Sequence, residues 1–223
     1  MTQKPKVVVF DLDDTLYKEI DFLKSAYQEI ADYFRDTYGI YGIWGEMLKY
    51  YEEKKDVFQE IIDFYKRPVE KGFLLDMYRI HKPNICLDVE TKHVLDALHN
   101  MRNCEISIIT DGRRVTQWNK IEALGLDMYQ KEDLDFFISE EHGHSKPDPY
   151  AYKLIETFYP KYSYVYVGDN PEKDFKAPNE LGWETICLLD DGRNIHKQNF
   201  KMSKNYLPHH TIENIVELLD YIR

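Results

Sequence analysis

The sequence predicts an α/β protein whose Rossmann-like parallel-sheet core is interrupted by an inserted all-helical domain. Three observations indicate this fold class. Lys6 to Phe10 (KVVVF) form a short β-branched run that ends at acidic residues, and residues 17–82 then follow without a convincing strand. From residue 83 to the C-terminus, helix and strand patterns alternate. Such alternation is typical of a doubly wound sheet with short connections.

The composition is that of an acidic globular chain. Its 223 residues are enough for one α/β core plus a smaller inserted domain. The apolar content of 43% excludes a disordered chain. A net charge of −11 leaves no broad basic surface for a nucleic acid or an anionic membrane. A small molecule is therefore the expected partner, and the oligomeric state is left open.

The sequence also bears on the cellular compartment. No apolar run approaches the roughly 20 residues that span a bilayer, and no signal peptide precedes the first strand. Cys86, Cys104 and Cys187 lie at wide spacings that fit neither a disulfide framework nor a zinc site, so we expect reduced thiols in the core. These features predict a cytoplasmic protein.

The insertion, residues 17–82, is predicted to be a small helical domain. Apolar residues recur near helical spacing from Phe22 to Tyr38, and Gly39 is placed to end that helix. A second helix is expected from about Glu46 to Tyr65, and a short one from Phe73 to Ile80. The many aromatic residues of this segment are expected to form its core rather than a platform for a nucleobase.

The core is predicted to comprise residues 1–16 and 83–223, with the first strand at its centre. After the insertion, helices and strands alternate with short connections. The predicted elements are a helix at Glu90–Met101, a strand at Glu105–Ile109, a helix at Val115–Leu124, a strand at Phe136–Ser139, a helix at Tyr150–Phe158, a strand at Tyr164–Val167, a helix at Pro171–Leu181, a strand at Glu184–Leu189 and a helix at Ile212–Ile222.

Two acidic residues, Asp11 and Asp13, follow the first strand directly. Acids at positions i and i+2 beyond a strand end can point into one pocket, where one acts as a nucleophile or metal ligand and the other as a proton donor. Taken alone, this pattern is more typical of a turn or a helix cap.

A second polar segment, Thr110-Asp111-Gly112, follows the strand that ends at Ile109. A hydroxyl group and the backbone N–H groups of a glycine turn can hold phosphate oxygens. A turn without a function is about as good an interpretation of these three residues by themselves.

The third segment, Lys146-Pro147-Asp148-Pro149, combines a lysine with a helix start. Asp148 is expected to be the N-cap and Pro149 the first helical residue, which fixes the position of Lys146. A lysine held there could neutralise a phosphate and an aspartate together, although a lone lysine is usually a surface group.

The fourth segment begins with Gly168 and Asp169 after the strand at Tyr164–Val167, and Asp174 follows on the next predicted helix. These two acids could supply an oxygen ligand and an outer-shell contact to Mg²⁺. The alternative is a glycine turn followed by a capped helix, since Asn170 and Pro171 also favour a helix start.

In this order and spacing, DLDDTL, TDG, KPDP and GDNPEKD resemble the four motifs of the haloacid dehalogenase superfamily, over essentially the whole chain. Phosphatases and phosphomutases of the family keep the acid that matches Asp13, whereas dehalogenases lack it. The resemblance therefore implies a Mg²⁺-dependent phosphatase with a helical cap after its first motif. The implied substrate is a small phosphomonoester, such as a sugar phosphate or nucleoside monophosphate. A sugar phosphomutase and a non-catalytic binding protein with the same fold remain alternatives.

The resemblance implies chemical roles for four carboxylates. Asp11 would attack phosphorus and carry the aspartyl-phosphate, and Asp13 would protonate the leaving oxygen and then activate water. Mg²⁺ would be held by the Asp11 carboxylate, the backbone carbonyl of Asp13 and the Asp169 carboxylate. Asp174 would be an outer-shell partner of the metal.

The resemblance also implies how the phosphate is held. Thr110 and Lys146 are expected in the catalytic site, where they would contact phosphoryl oxygens. Backbone N–H groups near Leu12 and Asp111 would complete the phosphate-binding group.

Overall fold

The computed structural model describes residues 4–129 and 136–222, and within them six parallel strands form one sheet. The strands are β1 (Lys6–Phe10), β2 (Cys104–Thr110), β3 (Phe136–Ile138), β4 (Ser163–Gly168), β5 (Glu184–Leu188) and β6 (His210–Ile212). Their spatial order is β3-β2-β1-β4-β5-β6. In the register of the central strand, Val8 lies opposite Ile106 on one side and Val165 on the other. The predicted Rossmann-like α/β fold is confirmed.

The central strand β1 is buried on both faces. Val8 and Phe10 pack into the hydrophobic cluster on one face of the sheet, and Val7 and Val9 pack into the cluster on the other face. Successive side chains of a strand point to opposite faces, so a continuous β-branched run suits a sheet that is covered on both sides. This burial fixes the end of β1 and the residues that follow it.

Helices occupy the connections between the strands. They are α1 (Glu19–Tyr38), α2 (Ile43–Glu52), α3 (Val57–Tyr65), α4 (Lys71–Ile80), α5 (Val89–His99), α6 (Arg114–Ala123), α7 (Ser139–His142), α8 (Tyr150–Phe158), α9 (Lys176–Glu180) and α10 (Leu218–Ile222), with 3-10 turns at Leu126–Tyr129, Lys204–Tyr206 and Ile215–Glu217. The first four follow one another between β1 and α5, where the sequence predicts three helices and no strand.

Helices α1 to α4 share a hydrophobic cluster of their own. Its fully buried members include Ile30, Phe34, Met47 and Ile61. Gly39 ends α1 in the left-handed conformation (φ 65°), which a residue without a Cβ adopts at little cost. The prediction that the aromatic residues form this core holds in part. Four of them are buried in the cluster, four are exposed and two pack into the sheet cluster instead; they are, in that order, Tyr27, Phe34, Tyr50 and Phe58, then Tyr41, Trp44, Phe64 and Phe73, then Tyr17 and Phe22. The role of the segment as a cap stays a prediction.

The helix expected from Glu46 to Tyr65 is two helices, α2 and α3, so that prediction was wrong. Between them Lys54 adopts a left-handed conformation (φ 56°). Asp56 then caps α3, because its side chain accepts a hydrogen bond from the backbone N–H of Gln59. A capping side chain competes with a continuous helix and starts a new one.

The helix expected from Pro171 to Leu181 begins only at Lys176, so that prediction was also wrong. The Asp174 side chain accepts hydrogen bonds from the backbone N–H groups of Asp169 and Asn170. These bonds hold the segment before α9 in a turn. Asp174 therefore lies in a loop rather than on the helix.

The turn before α8 differs from the prediction by one residue. The Asp148 carboxylate accepts a hydrogen bond from the backbone N–H of Tyr150 at 2.8 Å, as a capping residue does. The helix begins at Tyr150, and Pro149 occupies the capping position. This shift lies within the usual uncertainty of a helix end.

The C-terminal helix expected over Ile212–Ile222 is shorter, and a strand was missed. His210–Ile212 form β6, which pairs in parallel with β5. The Asn214 side chain then accepts from the backbone N–H of Val216 and, with Glu217, forms a capping box. The cap delays regular α-helix until Leu218.

The cysteines and the helix lengths answer two further expectations. Cys104 and Cys187 are buried, but Cys86 is exposed, so the prediction of a core thiol at that position was wrong. In the segment between α4 and α5 the neighbouring Ile85 takes the buried position instead. No disulfide joins these three cysteines. In the part of the chain that the structure describes, no helix is both long and apolar enough to cross a membrane.

Candidate active site

A cavity of about 130 Å³ lies at the carboxyl ends of β1, β2 and β4. Residues from all four polar segments line it, because parallel strands that end at the same edge of a sheet bring their following residues together. The lining residues are Asp11, Asp13, Asp14, Glu19, Thr110, Asp111, Lys146, Asp169, Asn170, Lys173, Asp174 and His196.

Asp11 is held at the floor of this cavity by the end of β1. Its backbone N–H donates to the carbonyl of Val167 at 2.8 Å. Its Oδ1 accepts from the N–H of Leu12 at 2.8 Å and lies 2.8 Å from the Nζ of Lys146. Burial raises the pKa of Asp11 to about 8, and Asp174 adds to this effect while Lys146 opposes it.

Lys146 is a buried cation shared by two carboxylates. Its Nζ lies 2.8 Å from Asp11 and 2.7 Å from Asp174, and it donates to the hydroxyl of Tyr166 at 3.1 Å. Its backbone N–H donates to Oδ1 of Asp111 at 3.0 Å, which ties the lysine to the loop after β2. Burial disfavours the charge, but Asp11 and Asp174 outweigh it and raise the pKa of Lys146 well above its usual value.

Asp169 and Asp174 complete a group of carboxylates with Asp11. One oxygen of each lies within 4.8 Å of the others. Burial, together with the charges of Asp174 and Asp11, raises the pKa of Asp169 to about 9. Asp174 is fully buried, and both of its oxygens already accept hydrogen bonds from protein groups. This agrees with a supporting position, although its outer-shell role stays a prediction.

The same carboxylate group fits a divalent cation. It is the one set of metal-ligating side chains this close together within residues 4–129 and 136–222. Magnesium prefers carboxylate and carbonyl oxygens. Burial is the largest cause of the raised pKa values of Asp11 and Asp169, and the neighbouring carboxylates raise them further despite Lys146. A hard cation between these oxygens would supply the missing positive charge.

Asp13 points to a different set of partners. Its Oδ1 accepts from the hydroxyl of Tyr17 at 2.5 Å and lies 2.7 Å from the Nζ of Lys120. Its Oδ2 accepts from Nε2 of Gln117 at 2.9 Å. Burial alone would raise the pKa of Asp13, but Lys120, Tyr17 and Gln117 outweigh it and lower the pKa. Asp13 is therefore ionised at neutral pH.

Sequence reasoning missed Gln117 and Lys120. Both are buried, and they lie three residues apart on one face of α6. The predicted helix at Val115–Leu124 gave no reason to place them near Asp13. The one local signal for them is that a lysine and a glutamine occupy core-facing positions of a helix, where polar side chains are rare.

The predicted phosphate-binding groups lie around the cavity. Thr110 is buried at the end of β2, and its hydroxyl accepts a hydrogen bond from Gln117. Asp111 lines the cavity and binds the backbone of Lys146. The N–H of Leu12 donates to the Asp11 carboxylate. Their contacts with phosphate stay predictions.

The segment between β5 and β6 also reaches the site, and sequence reasoning missed it. Nδ2 of Asn194 donates to Oδ2 of Asp169 at 2.9 Å, and the backbone N–H of Ile195 donates to Oδ2 of Asp14 at 2.9 Å. Nε2 of Gln198 donates to the Asp169 carbonyl at 2.7 Å. These contacts join residues distant in sequence, so no local pattern marks them.

Comparison with known proteins places this site in a family. Residues 5–182 match the model for haloacid dehalogenase-like hydrolases. The chain belongs to this family. Members use a metal ion, and the buried carboxylates of Asp11, Asp169 and Asp174 provide oxygens for one.

Two curated relatives of this haloacid dehalogenase-like hydrolase are glyceraldehyde 3-phosphate phosphatases. The protein from Methanocaldococcus jannaschii is 27% identical to this chain, and that from Methanopyrus kandleri is 26% identical. Each alignment covers 98% of this chain and 97% of the relative. The predicted family and enzyme class, a phosphatase, are confirmed.

Solved structures of the family share the fold. A magnesium-bound hydrolase from Bacillus subtilis has a TM-score of 0.65 at 20% identity, covering 99% of both chains. A phosphatase from Thermococcus onnurineus has a TM-score of 0.60 at 20% identity, covering 97% of both chains. A 2-haloacid dehalogenase from Pseudomonas syringae has a TM-score of 0.63 at 19% identity, covering 98% of both chains. At these identities the likeness supports the fold alone.

Proposed function

We propose that the chain is a Mg²⁺-dependent phosphatase of a short sugar phosphate, such as glyceraldehyde 3-phosphate, that acts through an aspartyl-phosphate on Asp11. The observation that carries this proposal is the small cavity in which Asp11, Asp13 and Lys146 meet at the carboxyl ends of the strands. The two relatives aligned over nearly their full length support the substrate class. Such a metabolite agrees with the cytoplasmic location expected from the sequence.

The size of the cavity favours a short substrate. Its volume is about 130 Å³, whereas pockets for drug-sized ligands measure about 300–1,000 Å³. A phosphate group with a short carbon chain suits this volume better than a nucleotide does. Polar groups dominate the lining, among them the half-buried Glu19 and the exposed Lys173 and His196, and they suit a substrate with hydroxyl or carbonyl groups.

In the first step, a carboxylate oxygen of Asp11 attacks phosphorus. The new O–P bond forms as the ester P–O bond breaks. Asp13 is ionised in the substrate-free protein, so it first takes up a proton from solvent and then gives that proton to the leaving oxygen. Lys146 and Thr110 lie where they can offset charge on the phosphoryl oxygens.

In the second step, water attacks the aspartyl-phosphate. Asp13 accepts a proton from the water as the new P–O bond forms, and the bond from phosphorus to Asp11 breaks. Inorganic phosphate leaves, Asp11 is restored as a carboxylate and Asp13 is again protonated. One side chain thus serves as acid and base in turn.

Asp11, Asp169 and the backbone carbonyl of Asp13 would hold Mg²⁺, with Asp174 as an outer-shell partner. When bound, the ion would offset the repulsion between these carboxylates and a phosphate dianion, which amounts to about 4 kcal/mol for two unit charges 4 Å apart at intermediate dielectric. The three carboxylates within 4.8 Å and the magnesium in the Bacillus subtilis structure support this assignment.

We assign residues 17–82 as a cap over a catalytic core of residues 1–16 and 83–223. The start of this segment supports the assignment, because Tyr17 binds Asp13 and Glu19 lines the cavity. The separate hydrophobic cluster of α1 to α4 supports an independent packing unit.

The test is phosphate release from glyceraldehyde 3-phosphate, glucose 6-phosphate and adenosine monophosphate, with Mg²⁺ or with a chelator. We expect metal-dependent release, fastest from the three-carbon ester, that Asp11→Asn abolishes and that the exposed control Asp127→Asn preserves. Release that survives Asp11→Asn would contradict the proposed nucleophile. Interconversion of sugar phosphates without phosphate release would favour a phosphomutase, and no reaction with any ester would refute the proposed activity.

A further inference from the structure

We propose that Lys120, with Tyr17 and Gln117, positions the Asp13 carboxylate to accept the proton of the water that cleaves the aspartyl-phosphate. We call these three residues the Asp13 clamp. The inference rests on the proposed phosphatase function and adds positioning residues from α6 and from the start of the insertion.

Lys120 is a buried cation that lies next to the Asp13 carboxylate. The residue is 2% exposed. Its Nζ lies 2.7 Å from Oδ1 of Asp13 and 3.6 Å from Oε1 of Glu19, and it sits over the ring of Phe22 at 4.6 Å from the centroid. Its nearest charged partner is therefore the side chain assigned to acid–base catalysis.

The clamp presents only donors to Asp13. The Lys120 ammonium and the Tyr17 hydroxyl bind Oδ1, and the Gln117 amide nitrogen binds Oδ2. An ammonium group can only donate, and charge-assisted bonds to a carboxylate are the strong ones. Contacts on both oxygens limit rotation of the carboxylate and fix its position at the cavity.

Fold stability alone gives little reason to bury Lys120. Removing two charges from water costs free energy, and apolar residues of similar volume often stabilise a core as well as a buried ion pair does. A buried pair whose aspartate lines the candidate catalytic cavity is better explained by the reaction it serves.

The glycine of the second motif leaves room for the clamp. A Cβ atom at Gly112 would lie 3.0 Å from Cδ of Gln117, and the backbone there has a φ of 149°. A side chain at this position would press on Gln117, which also binds the hydroxyl of Thr110. Thr110 and Gly112 therefore both adjoin Gln117, the clamp residue that binds Oδ2 of Asp13.

The test compares native protein, Lys120→Met and Lys120→Arg with 4-nitrophenyl phosphate, whose acidic leaving group needs little protonation. In that case kcat/KM reports formation of the aspartyl-phosphate, whereas kcat includes its hydrolysis. We expect Lys120→Met to lower kcat by about 100-fold, the scale of general base catalysis, and KM by a similar factor. Acid-quenched protein should show more phosphorylated enzyme by mass spectrometry than the native protein does, and Lys120→Arg should restore part of kcat. Lys153→Met, an exposed helical lysine outside the site, should match the native protein.

Other outcomes would overturn the inference. An unchanged kcat in Lys120→Met, or equal losses in kcat and kcat/KM without phosphorylated enzyme, would leave Lys120 a structural residue only. If circular dichroism shows that Lys120→Met is unfolded, Tyr17→Phe decides, because it removes one donor and keeps the ring. It should lower kcat and KM together by about 3- to 10-fold, about the scale of one hydrogen bond, and an unchanged kcat would refute the clamp. If the proposed phosphatase function itself is wrong, the native protein will release no phosphate from any ester.

Discussion

Replacing Asp11 with asparagine should stabilise the metal-free protein while it abolishes catalysis. Asp11 is a buried carboxylate whose charge is opposed by burial and by Asp174, so folding works against its ionised form. Asparagine has nearly the same shape and no charge. Lys146 is not left without a partner, because Asp174 remains 2.7 Å from its Nζ.

The magnitude follows from the pKa of Asp11, which rises from 3.8 to about 8. One pKa unit corresponds to about 1.4 kcal/mol, so the penalty at pH 7 is at most about 4 kcal/mol. Asparagine accepts a weaker hydrogen bond from Lys146, which offsets part of the gain. We expect the free energy of unfolding to rise by about 1–3 kcal/mol, equivalent to about 2–4 °C in Tm for each kcal/mol in a chain of this size.

The sign of the pH dependence adds a second check. Between pH 4 and pH 8 the folded native protein binds a proton at Asp11 that the unfolded chain has released, so this group makes native stability fall as pH rises. Asp11→Asn lacks that contribution. Its stability advantage should therefore be small near pH 4, grow with pH and level off above about pH 8.

Urea denaturation with a chelator at several pH values measures both effects. The exposed Asp127→Asn should change stability by no more than about 0.5 kcal/mol at every pH. Added Mg²⁺ should stabilise the native protein more than Asp11→Asn, because a ligand of the folded state raises its stability by mass action. An Asp11→Asn variant that is no more stable than the native protein at pH 7, or whose advantage does not shrink toward pH 4, would refute the reasoning.

Three further predictions concern the candidate metal ligands and the stability of the fold. Gly168→Ala should weaken Mg²⁺ binding and lower stability by about 2 kcal/mol or more by urea denaturation, because its Cβ would lie 2.5 Å from Oδ2 of Asp174. The affinity for Mg²⁺, measured by titration calorimetry, should rise between pH 6 and pH 8, because the pKa values of Asp11 and Asp169 are about 8 and 9 and Mg²⁺ binds their ionised forms. The rise should be up to about tenfold per pH unit for each proton released. An affinity that does not change with pH would contradict this prediction. Asp56→Ala should cost about 1 kcal/mol in thermal unfolding through loss of the α3 cap and leave kcat unchanged.

Five of the six strands in the described residues, and the four polar segments, could be predicted from the sequence because both depend on short-range patterns. A β-branched run such as Lys6–Phe10 marks a buried strand, and parallel topology brings the residues after each strand to one edge. Helix limits were less accurate. Asp56, Asp174 and Asn214 each bind nearby backbone N–H groups, and such bonds interrupt or delay a helix that the apolar spacing alone would continue.

Some partners of the carboxylates, among them Lys120 and Asn194, could not be predicted, because they depend on contacts between distant parts of the chain. Lys120 lies 107 residues from Asp13, and Asn194 lies 25 residues from Asp169. Neither residue has a distinctive neighbour in sequence. The tertiary fold brings them to the site, because α6 shares the hydrophobic cluster on one face of the sheet and the β5–β6 segment contacts Asp169.

The surroundings supplied by the fold shift the pKa values of Asp11 and Asp13 in opposite directions. Lys146 is shared between Asp11 and Asp174, and the pKa of Asp11 still rises to about 8. Lys120 lies closest to Asp13, and with Tyr17 and Gln117 it lowers the pKa of that carboxyl. The two aspartates are only two residues apart, so their difference comes from the partners that the fold supplies and not from local sequence. The chain thus provides the proposed base with a permanent counter-ion, whereas the proposed nucleophile depends on a bound cation for its ionised form.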